Sequence, residues 1–214
     1  MNPEIQSNRT RALCGLAPVI PVIVIRNAER AAGLAQALIS GGLPVLEVTL
    51  RSDAALEAIR AMSAVSGGHV GAGTVLTPDD ARRAKDAGAS FAVSPGLTDR
   101  LIAACEDLAL PLLPGAATAS EVMRAADAGY HMLKFFPAEA IGGAPALKSL
   151  AGPLPRISFC PTGGISPAIA PDYLALPNVV CVGGSWIATD ADVNAENWGE
   201  IQERAHDAAR LNRR

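Results

Sequence analysis

Short runs of β-branched and apolar residues recur along the chain and alternate with alanine-rich stretches whose apolar positions lie three and four apart. The runs near 19–25, 45–50, 70–75, 91–94, 110–113, 132–136, 157–160 and 179–182 have strand character. The segments 28–40, 54–65, 78–87, 99–108 and 119–128 carry helical spacing. Ser40-Gly41-Gly42, Ala87-Gly88 and Ala128-Gly129 read as helix ends with left-handed caps. Thr77-Pro78, Thr118 with Glu121, and Ser166-Pro167 read as helix starts. Eight strands, each followed by a helix at intervals of roughly 19–26 residues, predict an α/β fold, a (β/α)8 TIM barrel with an extra N-terminal helix. A doubly wound open sheet fits less well, because no Gly-x-Gly-x-x-Gly follows the first strand. No linker or shift in composition divides the chain, so one domain over 1–214 is expected.

Composition narrows the functional classes. With 50% hydrophobic and 18% charged residues the chain has a folded, globular make-up. A net charge of −3 and 4% aromatics offer neither a basic stripe nor stacking rings for nucleic acid. The N-terminus has no apolar signal core, and the longest apolar run, 16–25, is interrupted by Pro18 and Pro21 and is too short to span a membrane. A cytoplasmic protein with a small-molecule substrate is expected. Cys14, Cys105, Cys160 and Cys181 lack paired metal-type spacing, and His69, His131 and His206 are scattered, so no metal and no cofactor are expected.

One residue stands out against this background. The chain has only three lysines, and Lys134 alone lies in an apolar strand segment, Met132-Leu133-Lys134-Phe135-Phe136. Burial disfavours the charged form of lysine and makes its amine a nucleophile near neutral pH. A snorkelling strand-end lysine or one half of a buried ion pair is the plainer alternative.

Barrel enzymes react at the carboxyl ends of the strands, and polar residues gather there. Alternation along 45–51 places Glu47, Thr49 and Arg51 on one face and Leu46, Val48 and Leu50 on the other. The apolar set suits helix packing, which turns the carboxylate, hydroxyl and guanidinium inward. The third strand ends Gly71-Ala72-Gly73-Thr74, placing Thr74 at the same rim with glycines that clear space for a ligand. Thr162 ends the seventh strand. A buried charge network that only sets strand register is the competing reading of Glu47, Arg51 and Lys134. Two glycine turns, Gly163-Gly164 after the seventh strand and Gly183-Gly184-Ser185 after the eighth, suit a phosphate, with a following helix start adding its dipole.

The segments Leu46-Glu47-Val48-Thr49-Leu50-Arg51, Gly71-Ala72-Gly73-Thr74-Val75-Leu76, Ser94-Pro95-Gly96, Lys134-Phe135-Phe136-Pro137-Ala138-Glu139 and Cys160-Pro161-Thr162-Gly163-Gly164-Ile165-Ser166-Pro167 closely resemble the 2-keto-3-deoxy-6-phosphogluconate (KDPG) and 4-hydroxy-2-oxoglutarate aldolase family. The resemblance runs from about Pro18 to Trp186. It implies a class I, metal-free aldolase of the Entner–Doudoroff pathway, usually a homotrimer. It also implies roles: Lys134 forms the Schiff base, Glu47 is the acid/base, and Arg51 and Thr74 hold the pyruvyl carboxylate. Thr162 would influence which stereoisomer fits, Gly163, Gly164, Gly184 and Ser185 would hold the phosphate, and Pro95 and Phe136 would line the pocket. Ala116-Ala117 stands where the family suggests Ile-Ser, and Ile141 where it suggests Asn, which leaves fine substrate preference open. An aldolase for the 6-phosphogalactonate epimer, a phosphosugar isomerase and a non-catalytic phosphometabolite sensor are the rival functions.

Overall fold

The computed structural model describes residues 1–212, so 213 and 214 of the expected domain lie outside the described residues. The fold is α/β with a curled parallel sheet whose strands run β1 (Val19–Ile23), β2 (Val45–Thr49), β3 (His69–Gly73), β4 (Phe91–Val93), β5 (Leu112–Leu113), β6 (Gly115–Ala116), β7 (Met132–Phe135), β8 (Ser158–Pro161) and β9 (Val182–Gly184). Six strands pair in the order β5-β4-β3-β2-β1-β9 and three in the order β6-β7-β8. All registers are parallel, among them Val22↔Glu47, Gly115↔Lys134 and Lys134↔Cys160. Single parallel bridges, Phe159↔Val179 and Thr162↔Gly183, join β8 to the segment leading into β9 and to β9 itself.

The expected strand over 110–113 is reduced to Leu112–Leu113, and a second short piece, β6, follows beyond Pro114, which lacks the N–H a ladder needs. Its carbonyl still accepts from the Lys134 N–H at 2.8 Å. The expected strand over 179–182 begins only at Val182, with Val179 contributing one bridge. Therefore a regular eight-stranded ladder is not what the hydrogen bonds draw.

Helices cover the outer face: α1 (Pro3–Cys14), α2 (Ala31–Ser40), α3 (Ala55–Ser63), α4 (Pro78–Asp86), α5 (Asp99–Asp107), α6 (Ala119–Asp127), α7 (Gly143–Ala151), α8 (Ala170–Leu174), α9 (Asp190–Asn194) and α10 (Trp198–Ala209). Thr77 with Asp80 and Thr118 with Glu121 form capping boxes at α4 and α6. Gly42, Gly88 and Gly129 follow α2, α4 and α6 in the left-handed region, where glycine has no Cβ to clash. Residues 28–30 form a separate 3-10 turn capped by Asn27, so α2 starts at Ala31 and not at residue 28.

The apolar side chains divide into two layers. Leu46 and Val48 of β2 join the large core between sheet and helices. Val45, Ile20, Phe91, Leu113, Met132 and Cys160 form a smaller core on the other side. The extra N-terminal helix is polar yet buried at Gln6 and Ser7. Its buried groups serve strand starts: Gln6 Oε1 accepts from the Leu112 N–H at 3.1 Å, and Ser7 Oγ accepts from the N–H groups of His131 and Met132 at 2.9 and 2.8 Å. Buried N–H groups need acceptors, and α1 supplies them from its side chains.

Candidate active site

The inner core ends in polar residues near the carboxyl ends of the strands. Alternation on β2 carries Glu47 and Thr49 inward, while Leu46 and Val48 go to the helices, as expected. On β7, Lys134 lies two residues beyond Met132 and so shares its inward face. Lys134 and Glu47 therefore meet. Lys134 Nζ donates to Glu47 Oε1 at 3.0 Å, with the two side chains only 8% and 4% exposed. Lys134 is thus desolvated in company with a carboxylate, the buried ion pair that the sequence offered beside the lone amine. The Phe136 ring centroid lies 5.4 Å from the same nitrogen.

Both groups face a cavity of about 290 Å³ whose wall includes Arg51, Thr74, Pro95, Phe136 and Thr162. Arg51 sits just past β2 and is exposed at the rim. Its Nε donates to Thr49 Oγ1 at 3.1 Å, and the Thr49 hydroxyl donates to the Ile23 carbonyl at 2.9 Å. Thr49 thereby holds the guanidinium at the wall. Thr74 follows β3 with φ 59°, a conformation that costs a β-branched residue energy and recurs at functional sites. Thr162 is buried, and its hydroxyl donates to the Cys160 carbonyl at 3.4 Å.

Beneath Lys134 three thiols converge. Hydrogen bonding from Cys14 and Cys181 pulls the Cys160 thiol well below its usual range against the opposing effect of burial, and the nearby Lys134 charge adds to the pull. The four cysteines are all free and buried. Among the described residues no group of three or more His, Cys, Asp or Glu side chains is arranged to hold a metal ion.

Gly163, Gly164 and Ser185 also line the cavity, but the strand-eight glycine in the wall is Gly183 and not Gly184. Gly184 pairs with Pro21 in the ladder, and a Cβ on it would fall 2.2 Å from the Trp186 ring. Alternation along β9 explains the exchange. The helix starts expected behind the two glycine turns are not there either. Residues 167–169 form a turn before the five-residue α8, and the five-residue α9 begins at Asp190. The turns can therefore offer backbone N–H groups, without a long helix dipole behind them.

The strand-three glycines make room for protein, not directly for a ligand: a Cβ on Gly71 would meet the Phe91 ring at 2.4 Å. Likewise a Cβ on Gly183 would meet Thr162 Oγ1 at 2.3 Å. Sequence reasoning gave no site role to Val22 or Ile165, and it turned Thr49 inward and placed Gly183 in a phosphate turn without assigning either a ligand contact; all four line the cavity. The signal for Thr49 was its inward parity with Glu47. For Gly183 it was the glycine pair, of which the resemblance named Gly184.

Comparison with known proteins agrees with this geometry. Residues 10–204 match the family described as KDPG and KHG aldolase. The KHG/KDPG aldolase of Escherichia coli (strain K12) is 50% identical over 192 residues, 89% of this chain and 90% of that protein. The crystal structure of the Zymomonas mobilis 2-keto-3-deoxy-6-phosphogluconate aldolase with 3-phosphoglycerate superposes with a TM-score of 0.92, at 47% identity, covering 97% of this chain and 98% of that one. The KDPG aldolase of Legionella pneumophila, with pyruvate captured as a covalent carbinolamine intermediate, gives a TM-score of 0.90 at 46% identity and covers 93% of this chain and 97% of that one. Sequence and backbone point to the same relatives over nearly the whole length, and the chain belongs to the KDPG and KHG aldolase family.

Proposed function

We propose that the protein is a class I aldolase that cleaves 2-keto-3-deoxy-6-phosphogluconate to pyruvate and glyceraldehyde 3-phosphate, and also 4-hydroxy-2-oxoglutarate to pyruvate and glyoxylate. The observation that carries this reading is the buried Lys134–Glu47 pair at 3.0 Å, facing a cavity that Arg51 borders. Transfer of a proton from the ammonium to the adjoining carboxylate yields the neutral amine that attacks the ketone carbon. Glu47 then returns that proton to the carbinolamine hydroxyl, which leaves as water, giving an iminium and a carboxylate free to act as base. When the carbon–carbon bond breaks, its electron pair passes to the iminium and forms an enamine. Glu47, directly or through one water, removes the proton from the substrate hydroxyl at the far side of that bond, and the aldehyde leaves. Protonation of the enamine carbon by the same carboxyl, followed by addition of water to the iminium, releases pyruvate and restores Lys134.

Arg51 suits the pyruvyl carboxylate, since its planar fork can bind both oxygens, with Thr74 as a hydroxyl partner. Thr162 borders the reacting carbons, and Pro95 and Phe136 exclude water. The backbone N–H groups of the Gly163-Gly164 and Gly183–Ser185 turns suit the phosphate. We further read the two sheets as one closed (β/α)8 barrel in a single domain, because bridges at Thr162↔Gly183 supplement the ladders. We further infer a cytoplasmic homotrimer that uses no added cofactor, as the resemblance of its motifs to the family implies. Among the described residues no helix is long and apolar enough to cross a membrane.

Borohydride reduction in the presence of pyruvate tests the reaction. A single pyruvyl adduct on Lys134 is expected, whereas no adduct, or one on Lys85 or Lys148, overturns the assignment. A phosphosugar isomerase using Glu47 alone would form no reducible imine.

A further inference from the structure

The Gly163-Gly164 turn is held from behind by a second pair of side chains. The segment that follows β7 runs beside the exit of β8: the Ala138 N–H donates to the Thr162 carbonyl at 2.9 Å, and the Glu139 N–H donates to the Gly163 carbonyl at 3.1 Å. A Cβ on Gly164 would fall 2.8 and 2.9 Å from the Cβ and Cγ of Glu139, so the Glu139 stem packs flush against the turn. The stem borders the turn from outside. Glu139 is absent from the wall of the reaction cavity and lines a separate cleft with Gly143 and Tyr173.

The carboxylate at the end of that stem accepts a hydrogen bond from the Tyr173 hydroxyl. Tyr173 belongs to α8 and is 1% exposed. Burial, and then the hydrogen bond to Glu139, push its hydroxyl above the ordinary tyrosine range, so it remains a donor at neutral pH. Gly143, at φ 60°, leaves the space: a Cβ there would fall 3.0 Å from Glu139 Oε1 and 3.2 Å from the Tyr173 oxygen. Glu139 has no ion-pair partner among the described residues. A free carboxylate one residue-width from a turn that binds a dianion would repel it. Tyr173 fixes that charge on the outer side.

We propose that Glu139 and Tyr173 are positioning residues for the Gly163-Gly164 turn, and that together they set the preference for phosphorylated over unphosphorylated substrates. The inference rests on the aldolase reading above, with the turn as phosphate site. In Tyr173→Phe the carboxylate loses its donor and is free to swing toward the turn. The KM for the phosphorylated substrate, and the inhibition constant of inorganic phosphate, should then rise about threefold at low salt, the effect of one repulsion partly screened by solvent because Glu139 is exposed. kcat on that substrate and the kcat/KM on 4-hydroxy-2-oxoglutarate should stay within about twofold, because Lys134 and Arg51 are untouched. Glu139→Gln keeps the stem and removes the charge, so Glu139→Gln/Tyr173→Phe should recover the phosphate affinity that Tyr173→Phe alone loses.

The experiment measures KM and kcat on both substrates, with inorganic phosphate as competitor, for wild type, Tyr173→Phe, Glu139→Gln and the double variant. Equal losses on both substrates in Tyr173→Phe, or no rescue in the double variant, would show a merely structural role and overturn the inference. If Tyr173→Phe does not fold, Glu139→Gln decides: phosphate affinity equal to or above wild type supports the inference, and a loss overturns it. A wild type that traps pyruvate with borohydride but ignores inorganic phosphate overturns the phosphate reading of the turn as well. A wild type that responds to phosphate while Tyr173→Phe behaves identically overturns the positioning role alone.

Discussion

A Cβ on Gly73 would stand 2.3 Å from Glu47 Oε1, the same oxygen that accepts from Lys134. Glycine at that point on β3 thus sets where the carboxylate of β2 rests. Space that the sequence suggested for a ligand is occupied by the acid/base group of the proposed reaction. Gly73→Ala should displace the carboxylate with little effect on the fold, since the backbone there has no left-handed angle. A shift near 1 Å of a reacting group costs on the order of 10²-fold in rate, so kcat should fall by about that factor while the circular dichroism stays unchanged. An unaltered kcat would show that Glu47 has room to spare.

The Lys134–Glu47 contact also bears on stability. Removing one member leaves the other charged and unpaired in a site less than a tenth exposed. Lys134→Met should therefore lower the free energy of unfolding at pH 7 by about 3–5 kcal/mol, the usual cost of breaking a buried pair. Adding Glu47→Gln should recover a large part of that loss, because no lone charge remains. Urea titrations of the two single variants and the double variant complete the cycle. A double variant less stable than Lys134→Met would contradict the account.

Ser185 separates the two ends of the substrate. Ser185→Glu places a negative charge at the glycine turn, and a repulsion of ~1.4 kcal/mol corresponds to about tenfold in affinity. kcat/KM on the phosphosugar should fall at least that far, with 4-hydroxy-2-oxoglutarate turnover much less affected. Arg51→Ala should weaken both, since each substrate loses the partner of its carboxylate. Equal losses on both substrates in Ser185→Glu would remove the strand-eight turn from the phosphate site.

Acid stability should report on the C-terminal end of the fold. Asp192 lies in the first turn of α9, where its carboxylate accepts from the hydroxyl of the Thr189 cap and pairs with Arg204 of α10. The Thr189 hydroxyl first, and then Arg204 and Asn197, lower its carboxyl to about 2 from an ordinary 3.8. A folded-state value below the unfolded one means that the stabilisation is present above pH 3.8 and disappears as the pH falls toward 2. Asp192→Asn should cost about 1 kcal/mol at pH 7, the size of a weakened hydrogen bond to a charged group, and this difference from wild type should shrink between pH 4 and pH 2. Thermal melts across that range provide the comparison.

Strand parity made the inward face of β2 legible, because a single polar-apolar alternation decides which way Glu47 and Thr49 point. The apolar surroundings of Lys134 marked its burial, but not its partner, which lies 87 residues away and meets it only through the curl of the sheet. The capping boxes at Thr77 and Thr118 were readable since all their atoms lie within one turn. Ser166-Pro167 carried the same local signal, and the Ser166 carbonyl accepts from the Ile169 and Ala170 N–H groups, so the turn it starts leads straight into α8. Pro114 divides a strand whose apolar run gave no warning beyond the proline itself. The burial of Gln6 and Ser7 was not legible at all. It follows from donors at the starts of strands more than a hundred residues further along the chain.

The placement of the four cysteines has a consequence for how the molecule opens. None is exposed, and they are spread over α1, α5, β8 and the residue before β9. Modification by a small thiol reagent must therefore wait for some part of the structure to separate from the rest. Detachment of α1 would uncover Cys14 first, loosening of α5 would uncover Cys105, and Cys160 and Cys181 would react when the inner core parts. The order in which the sites are alkylated during native incubation thus ranks three local openings, of α1, α5 and the inner core, in a protein that needs no introduced label.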